Sequence, residues 1–595
     1  MKKLILVISV LAALLISCRE NPKSIQSGSG DAAFQKLSEE FLDEYLAWRP
    51  QFAVYLGLHE FDGKITDFSK QSLDSELVRL KNFEQKFSAI DSASLSPKMY
   101  YDLRILLCGI RNEIFNFEDL QVFNYNPIAY FDLAGGALVT GWPSFDLNIY
   151  INRNFAPLEE RVRSIIATEK EIPKIVAAAK FNLVDSLPGP YIETAIERVK
   201  GTAEFAWKDL VAALKDVKND SLMMAFNTVN KMAIDELKAF VQYLEKEKLP
   251  KATNHYAIGK KNYQKMLLYD ELIILSPEKI LQIGMTELKR EQDAFNAAAK
   301  IINPDMKPVD VYYSLQEEHP SAGNLISEVK NKAETIRQFL IDRKIVTIPS
   351  DVRVKVKEMP QYTRSYIAMA DIAGPFEKVA TEAYYYITPV DPSWTTRQKE
   401  DWLKVFDYYT TDIVTFHEAY PGHYMQYLHL NVSPATKIEK IFSSYAFTEG
   451  WAHSAEQMMI DEGFGNTGDP IKTAKYRLAQ SGEALCRICR ICVSVKMHCE
   501  GMTVEEATKF FMDNWHRDEV PSRLEAMRAT YDPRYLFYTL GKLQMLKLRE
   551  DYQKQEGPNF SLQKFHDQVL DNGMPPIRLL RERLLKDKTI WDKIL

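Results

Sequence analysis

Thr415-Phe416-His417-Glu418-Ala419-Tyr420-Pro421-Gly422-His423 is the stretch on which the reading of this chain turns. It opens as the metal-binding pattern His-Glu-x-x-His, but its second histidine stands at position 423 rather than 421. At about 100° per residue, i and i+4 side chains lie about 40° apart on a helix and can grip one ion, whereas i and i+6 lie about 120° apart and cannot. Pro421 lacks an N–H for the carbonyl of His417 and its ring crowds that carbonyl, while Gly422 tolerates the backbone that results. The expectation is a bulge that absorbs two residues and returns His423 to the side of His417.

A second segment, Phe447-Thr448-Glu449-Gly450-Trp451-Ala452-His453-Ser454-Ala455-Glu456, follows at the distance of one further helix. Glu449, His453 and Glu456 fall at i, i+4 and i+7 and share one helical face. Two histidines plus a glutamate from a later helix form the ligand set of many catalytic zinc sites. That reading makes His417, His423 and Glu449 the ligands of one Zn2+ per chain. Glu418, beside the first ligand, becomes the general base that activates a zinc-held water. Glu456 is placed to accept a proton from a ligand histidine's other nitrogen, and His453 to help hold substrate. An ordinary helix-surface pairing is the alternative for both.

Working outward, apolar residues recur at helical spacing from about Asp31 to Glu118, as in Phe34, Leu37, Phe41, Leu42 and Tyr45. Further helices are expected around Leu158–Phe181, Pro190–Asp216, Leu222–Lys246 and Asn262–Leu275. Ser276-Pro277-Glu278-Lys279 reads as an N-cap with proline at the first position, opening a long helix through Ala299. Between Ile348 and Pro392 the pattern changes. Val352–Val356 alternates apolar and polar, and Ala383–Thr388 is aromatic and β-branched, so a small sheet interrupts the helices. The strand Tyr384–Thr388 is either an aromatic core strand or an exposed edge along which a peptide would lie. Helix resumes from Arg397 to the C-terminus, with a late break at Asn572-Gly573-Met574-Pro575-Pro576.

Of the 595 residues, 46% are hydrophobic and 26% charged, which excludes a disordered or multi-span membrane chain. The net charge of −6, without a basic stripe, argues against nucleic acid as a partner. At the N-terminus, Lys2 and Lys3 precede an apolar run from Leu4 to Ile16, too short to span a bilayer but suited to a signal peptide. Leu15-Ile16-Ser17-Cys18 resembles the bacterial lipobox, which implies cleavage before Cys18 and lipidation of its thiol. Residues 1–17 are then signal peptide and 18–31 a lipidated cysteine and tether. Residues 32–260 form an N-terminal helical region, and 261–595 a zinc-hydrolase region carrying the sheet near 348–392. The expected location is the bacterial cell envelope, with the membrane contacted through lipid alone. Cys486, Cys489 and Cys492 superficially match an iron–sulfur spacing, but the segment reads as buried helix with no glycine to wrap a cluster.

His-Glu-Ala-Tyr-Pro-Gly-His at 417–423 followed by Thr448–Glu456 resembles the bacterial family labelled "domain of unknown function 885", whose members look like gluzincin metallopeptidases. The resemblance extends to Pro50–Gly57 with Asp67-Phe68-Ser69, to the Leu275–Gln292 helix, to Glu483–Ala507 and to Arg528–Arg549. It implies a mainly α, zincin- or gluzincin-like body of the angiotensin-converting-enzyme kind, with a small sheet beside the active-site helices. It also implies a zinc-dependent hydrolase acting on peptides, the alternative being a non-catalytic binding lipoprotein on the same scaffold. His498 matches a family histidine that would face the site, and Tyr538 keeps its place relative to Gly541. Both are candidate oxyanion donors, each against the alternative of a satisfied buried polar residue. Arg534 stands where the family has glutamine and Asp532 where it has proline, a departure that bears on substrate recognition. Arg487 and Arg490, in a stretch too apolar to be solvated, need anionic partners: structural or site carboxylates, or a substrate carboxylate.

Overall fold

A computed structural model describes residues 28–132, 139–359 and 367–595. The signal peptide and Cys18 lie outside the described residues. The apolar spacing near the N-terminus produces helices Asp31–Trp48, Pro50–Tyr55, Lys70–Ser88 and Pro97–Glu118. Phe34, Phe41, Leu42 and Tyr45 are buried in one core with residues of the following helices. The segment expected as one helix from Leu158 is two, Leu158–Lys170 and Ile172–Asn182. Pro173, near the start of the second, cannot donate to the preceding turn, so the ladder restarts there.

The long helix α1 (Pro277–Ile302) begins where Ser276 Oγ accepts from the Lys279 N–H. A three-stranded sheet follows: β1 (Lys355–Glu358), β2 (Ala368–Asp371) and β3 (Tyr384–Ile387), in the order β1-β3-β2. β3 pairs parallel with β1 and antiparallel with β2, so both of its edges are occupied. Tyr384–Thr388 is therefore a central core strand, not the free edge for a peptide. Tyr385 and Ile387 are buried in the larger core. The first strand starts at Lys355 rather than Val352 for a local reason. The Val352 carbonyl accepts from Tyr424 Oη, and the Val354 N–H points at Tyr420 Oη, so neither joins the ladder.

The site-bearing helices come next: α2 (Tyr408–Glu418), α3 (His423–Val432), α4 (Tyr445–Asp461), α5 (Pro470–Cys499) and α6 (Phe537–Glu556). The expected late break separates helices Leu562–Leu570 and Ile577–Leu584. The two halves of the chain share their cores. Ile438, Ile441 and Leu579 belong to the N-terminal one, and Phe115, Tyr191 and Tyr256 to the C-terminal one. The five cysteines among the described residues are free thiols. Burial pushes Cys486 and Cys492 up to about 12, so they pack as small hydrophobes.

One crossing brings α6 unusually close to α4. A Cβ on Gly450 would lie 2.4 Å from the carbonyl carbon of Gly541, and one on Gly541 would lie 2.1 Å from the Ala446 carbonyl oxygen. Only a pair of glycines permits this approach, because the obstructing atoms are backbone and cannot rotate away. Gly541→Ala is expected to destabilise the fold by about 1–3 kcal/mol, read as a lower urea midpoint. Gly201→Ala, where a Cβ meets nothing within 4 Å, should be neutral or slightly stabilising.

Candidate metal centre

α2 is fixed at its start and along its buried face. Asp407 caps it by accepting from the N–H groups of Tyr409 and Thr410. Asp412 accepts from Lys332 Nζ and Tyr476 Oη, each at 2.8 Å. His417 and Glu418 occupy the last turn. The expected bulge does not form; the helix ends, and a new one begins at His423. The Ala419 and Tyr420 N–H groups both turn back to the Thr415 carbonyl, at 2.9 and 3.2 Å, which closes the helix. Gly422 then packs directly on the chain it has left. A Cβ there would fall 1.8 Å from the His417 carbonyl oxygen, so close approach is what requires the glycine. Trp451 Nε1 donates to the Pro421 carbonyl at 2.8 Å and ties the turn to α4.

The break turns His423 back on His417, with ring centroids 4.8 Å apart and planes at 89°. α4 adds Glu449, whose Oε2 is 3.4 Å from His417 Nε2 and 3.6 Å from His423 Nε2. Both Nδ1 atoms are committed elsewhere. His417 Nδ1 is 2.7 Å from Glu456 Oε1, and His423 Nδ1 is 3.0 Å from Gln426 Oε1. Because a carboxylate and an amide oxygen can only accept, each Nδ1 carries the proton and each Nε2 presents a lone pair when the ring is neutral. Gln426 is itself held through Nε2 by the Thr448 carbonyl at 3.1 Å.

His417, His423 and Glu449 thus offer three ligand atoms within 4.8 Å of one another. Donors about 2.0–2.1 Å from a tetrahedral zinc ion stand roughly 3.3–3.4 Å apart, so the two contacts to Glu449 match the edges of such a site. Glu449 Oε2 is buried without a hydrogen-bond partner, an orphan that a cation would satisfy. The electrostatics agree. Burial opposes charge on His417, but the facing carboxylates of Glu449 and Glu456 prevail and lift it to about 9. Burial likewise opposes ionisation of Glu449, yet the two histidines hold it well below the usual carboxylate range. Positive charge between these groups is favoured, and a proton and a divalent ion compete to supply it.

The remaining sequence candidates divide. Glu418 is partly exposed and within electrostatic reach of His423 and Tyr385. Tyr538 stacks on His417 with centroids 6.3 Å apart. Burial and Glu449 raise its phenol, which stays protonated at neutral pH. Glu456 joins the cluster through His417, and Arg487 Nη2 braces it at 3.1 Å from Oε1. His453 is fully buried and turned to Glu456, Nδ1 to Oε2 at 3.2 Å. Arg490 forms a bidentate pair with Glu525 and lies over Tyr538, 4.7 Å from the ring centre.

Two residues do not join the cluster. His498 bonds backbone with both nitrogens, to the Ala529 carbonyl at 2.8 Å and the Ile258 N–H at 3.3 Å. It is a satisfied core histidine near the far end of α5. Arg534 pairs with Asp270 at 2.7 Å and reaches Asn112 and Asn116, stitching the two halves of the chain together. Sequence reasoning also missed Gln426, which follows His423 by one turn, and Lys542, which shares the α6 face of Tyr538. The first was legible in principle from its i+3 spacing; the second required knowing where α6 crosses.

The chain belongs to the family described as bacterial protein of unknown function (DUF885), whose profile matches residues 50–584. Two solved structures share the fold. One is a candidate lipoprotein of unknown function from Shewanella oneidensis, 24% identical, with a TM-score of 0.76, covering 93% of this chain and 100% of that one. The other is a candidate lipoprotein from Colwellia psychrerythraea, 18% identical, with a TM-score of 0.77, covering 95% and 100%. No curated protein matches the chain.

Glu449→Ala and His417→Ala should abolish stoichiometric zinc binding, measured by chelator competition on purified protein. Arg534→Ala should leave zinc affinity intact while costing about 3–5 kcal/mol of stability, because it strands buried Asp270. Equal zinc retention in wild type and Glu449→Ala would remove the metal assignment.

Proposed function

We propose that this family member is a zinc-dependent peptidase with a gluzincin-like body of the angiotensin-converting-enzyme kind. The observation that carries the reading is the convergence on buried, orphaned Glu449 Oε2 of two Nε2 atoms whose Nδ1 partners are already engaged. When bound, zinc supplies Lewis acidity that polarises a carbonyl and acidifies water. Everything else falls to side chains of this chain.

Glu418, adjacent to a ligand but outside the ligand set, takes the proton from the attacking water as the oxygen–carbon bond forms. It then returns that proton to the amide nitrogen as the carbon–nitrogen bond breaks. Tyr538, a neutral phenol beside His417, donates to the oxyanion that develops on the substrate carbonyl. Arg490 and Arg528, with guanidinium carbons 4.7 and 5.8 Å from the Tyr538 ring centre, hold that ring in place and favour negative charge near it. An intact Glu418 favours catalysis over pure peptide binding, because a binder has no chemical use for a base there.

The chain is further read as an exported lipoprotein, anchored through Cys18. The lipobox-like Leu15–Cys18 supports this, and both structural neighbours are described as candidate lipoproteins. No helix among the described residues is long and apolar enough to cross a membrane.

Incubating the mature protein with a peptide library, with and without chelator, is expected to give cleavage only in the metal-loaded sample. Glu418→Gln should retain zinc and lose about 10²–10⁴-fold in turnover. Peptide binding without chelator-sensitive cleavage would leave a binding lipoprotein instead.

A further inference from the structure

Behind the candidate metal centre lies a line of buried polar groups that the proposed chemistry does not use. Glu456, fully buried, accepts from His417 Nδ1 through Oε1 and from His453 Nδ1 through Oε2. A carboxylate only accepts, so His453 must carry its proton on Nδ1 to make this bond. Its Nε2 is then a lone pair, buried and without a hydrogen-bond partner. A lone pair left dry in a protein interior is costly, and the ring could relieve it by moving the proton to Nε2, at the expense of Glu456.

The complement is close by. Lys542 is 1% exposed, and its Nζ also has no hydrogen-bond partner. The glycine crossing sets its position: a Cβ on Gly450 would lie 2.8 Å from the Lys542 backbone nitrogen, and His453 is one turn beyond Gly450 on the same helix. The charged groups within reach of Lys542 are Glu291, Arg290, Glu456 and Glu287. Glu291 is spoken for, accepting from Ser481 Oγ at 2.7 Å and Arg290 Nη2 at 3.0 Å. Glu287 accepts from Arg290 Nε at 2.8 Å, and both Glu456 oxygens are engaged. His453 Nε2, on the helix that Lys542 packs against, is a buried acceptor with no hydrogen-bond partner.

We propose that Lys542 is a positioning residue for the metal centre: its charge, buried across the α4–α6 crossing from His453, favours a lone pair on His453 Nε2 and so holds that ring in the tautomer that donates to Glu456, which keeps Glu456 on His417. The connection runs Lys542, His453, Glu456, His417, with the last residue a ligand. Lys542 also disfavours the imidazolium form of His453. Burial, then the Lys542 charge, hold that imidazole down at about 3, so the ring stays neutral. Outer partners of a ligand histidine fix its orientation and commonly alter metal affinity 10- to 100-fold.

The test begins with metal-free, ¹⁵N-histidine-labelled protein. Ring-nitrogen spectra should report a proton on Nδ1 of His453 in wild type, the signal being assigned by its loss in His453→Gln. In Lys542→Met the Nε2-protonated form or the imidazolium should appear. Zinc affinity, read by competition with a chromophoric chelator, should fall about tenfold in Lys542→Met. In a His453→Gln background the same substitution should add no further loss, since its effect passes through the ring. Circular dichroism checks folding, and Lys542→Gln repeats the measurements if the apolar variant misfolds. An unchanged His453 tautomer overturns the proposal, as does a full additional loss in the double variant. The affinity arm rests on the metal reading. Failure of wild type to bind zinc would refute that reading, while the tautomer spectra still decide the role of Lys542.

Discussion

Two imidazole lone pairs and a carboxylate oxygen do not share a buried space without positive charge between them. That constraint governs this protein around His417, His423 and Glu449, where the contacts are 3.4 and 3.6 Å and the shared Oε2 has no other partner. The surroundings do not relax the tension by turning the rings. Glu456 and Gln426 occupy both Nδ1 atoms and aim both Nε2 atoms inward. Such pre-aimed donors are what a divalent ion with nitrogen and oxygen ligands calls for, and they are the basis of the hydrolase proposal.

The scaffold meets this constraint with backbone proximity more than with side-chain packing. Gly422 lets the chain fold onto the His417 carbonyl, and Gly450 and Gly541 let α6 press against α4. The first contact sets the angle between the two histidines. The second brings Tyr538 and Lys542 up to the same helix that carries Glu449, His453 and Glu456. Several buried charges here come in bonded sets: Glu456 with His417, His453 and Arg487, and Arg490 with Glu525. Buried sets of this kind are weak contributors to net stability but strongly resist losing a member, which suits them to holding geometry.

Some expectations needed revision, each for a physical reason. A bulge in one continuous helix became a full break, because the Ala419 and Tyr420 N–H groups both close on Thr415 and no ladder continues. His498 looked equally able to face the site or to be satisfied in the core. Its backbone contacts to Ile258 and Ala529 come from segments far away in the chain, which spacing cannot reveal. The same holds for Arg534, whose partner Asp270 lies in a different helix. β3 was legible as a strand from its aromatic, β-branched run. That it is central depends on β2, four residues with no strong alternation of their own.

What the linear order of residues determined by itself was local: the helix periods, the capped start of α1, the departure from regular helix at Pro421-Gly422 though not its form, and the sharing of one helical face by Glu449, His453 and Glu456. These follow from 3.6-residue periodicity, from proline's missing N–H and from glycine's missing Cβ, which act within a turn or two. Tertiary structure alone decided which polar groups meet across helices: Trp451 on the Pro421 carbonyl, Arg487 on Glu456, Arg490 on Glu525, and His498 away from the cluster. Hydrogen bonds and ion pairs act over a few ångströms, and only the packing of distant segments brings these groups within that range.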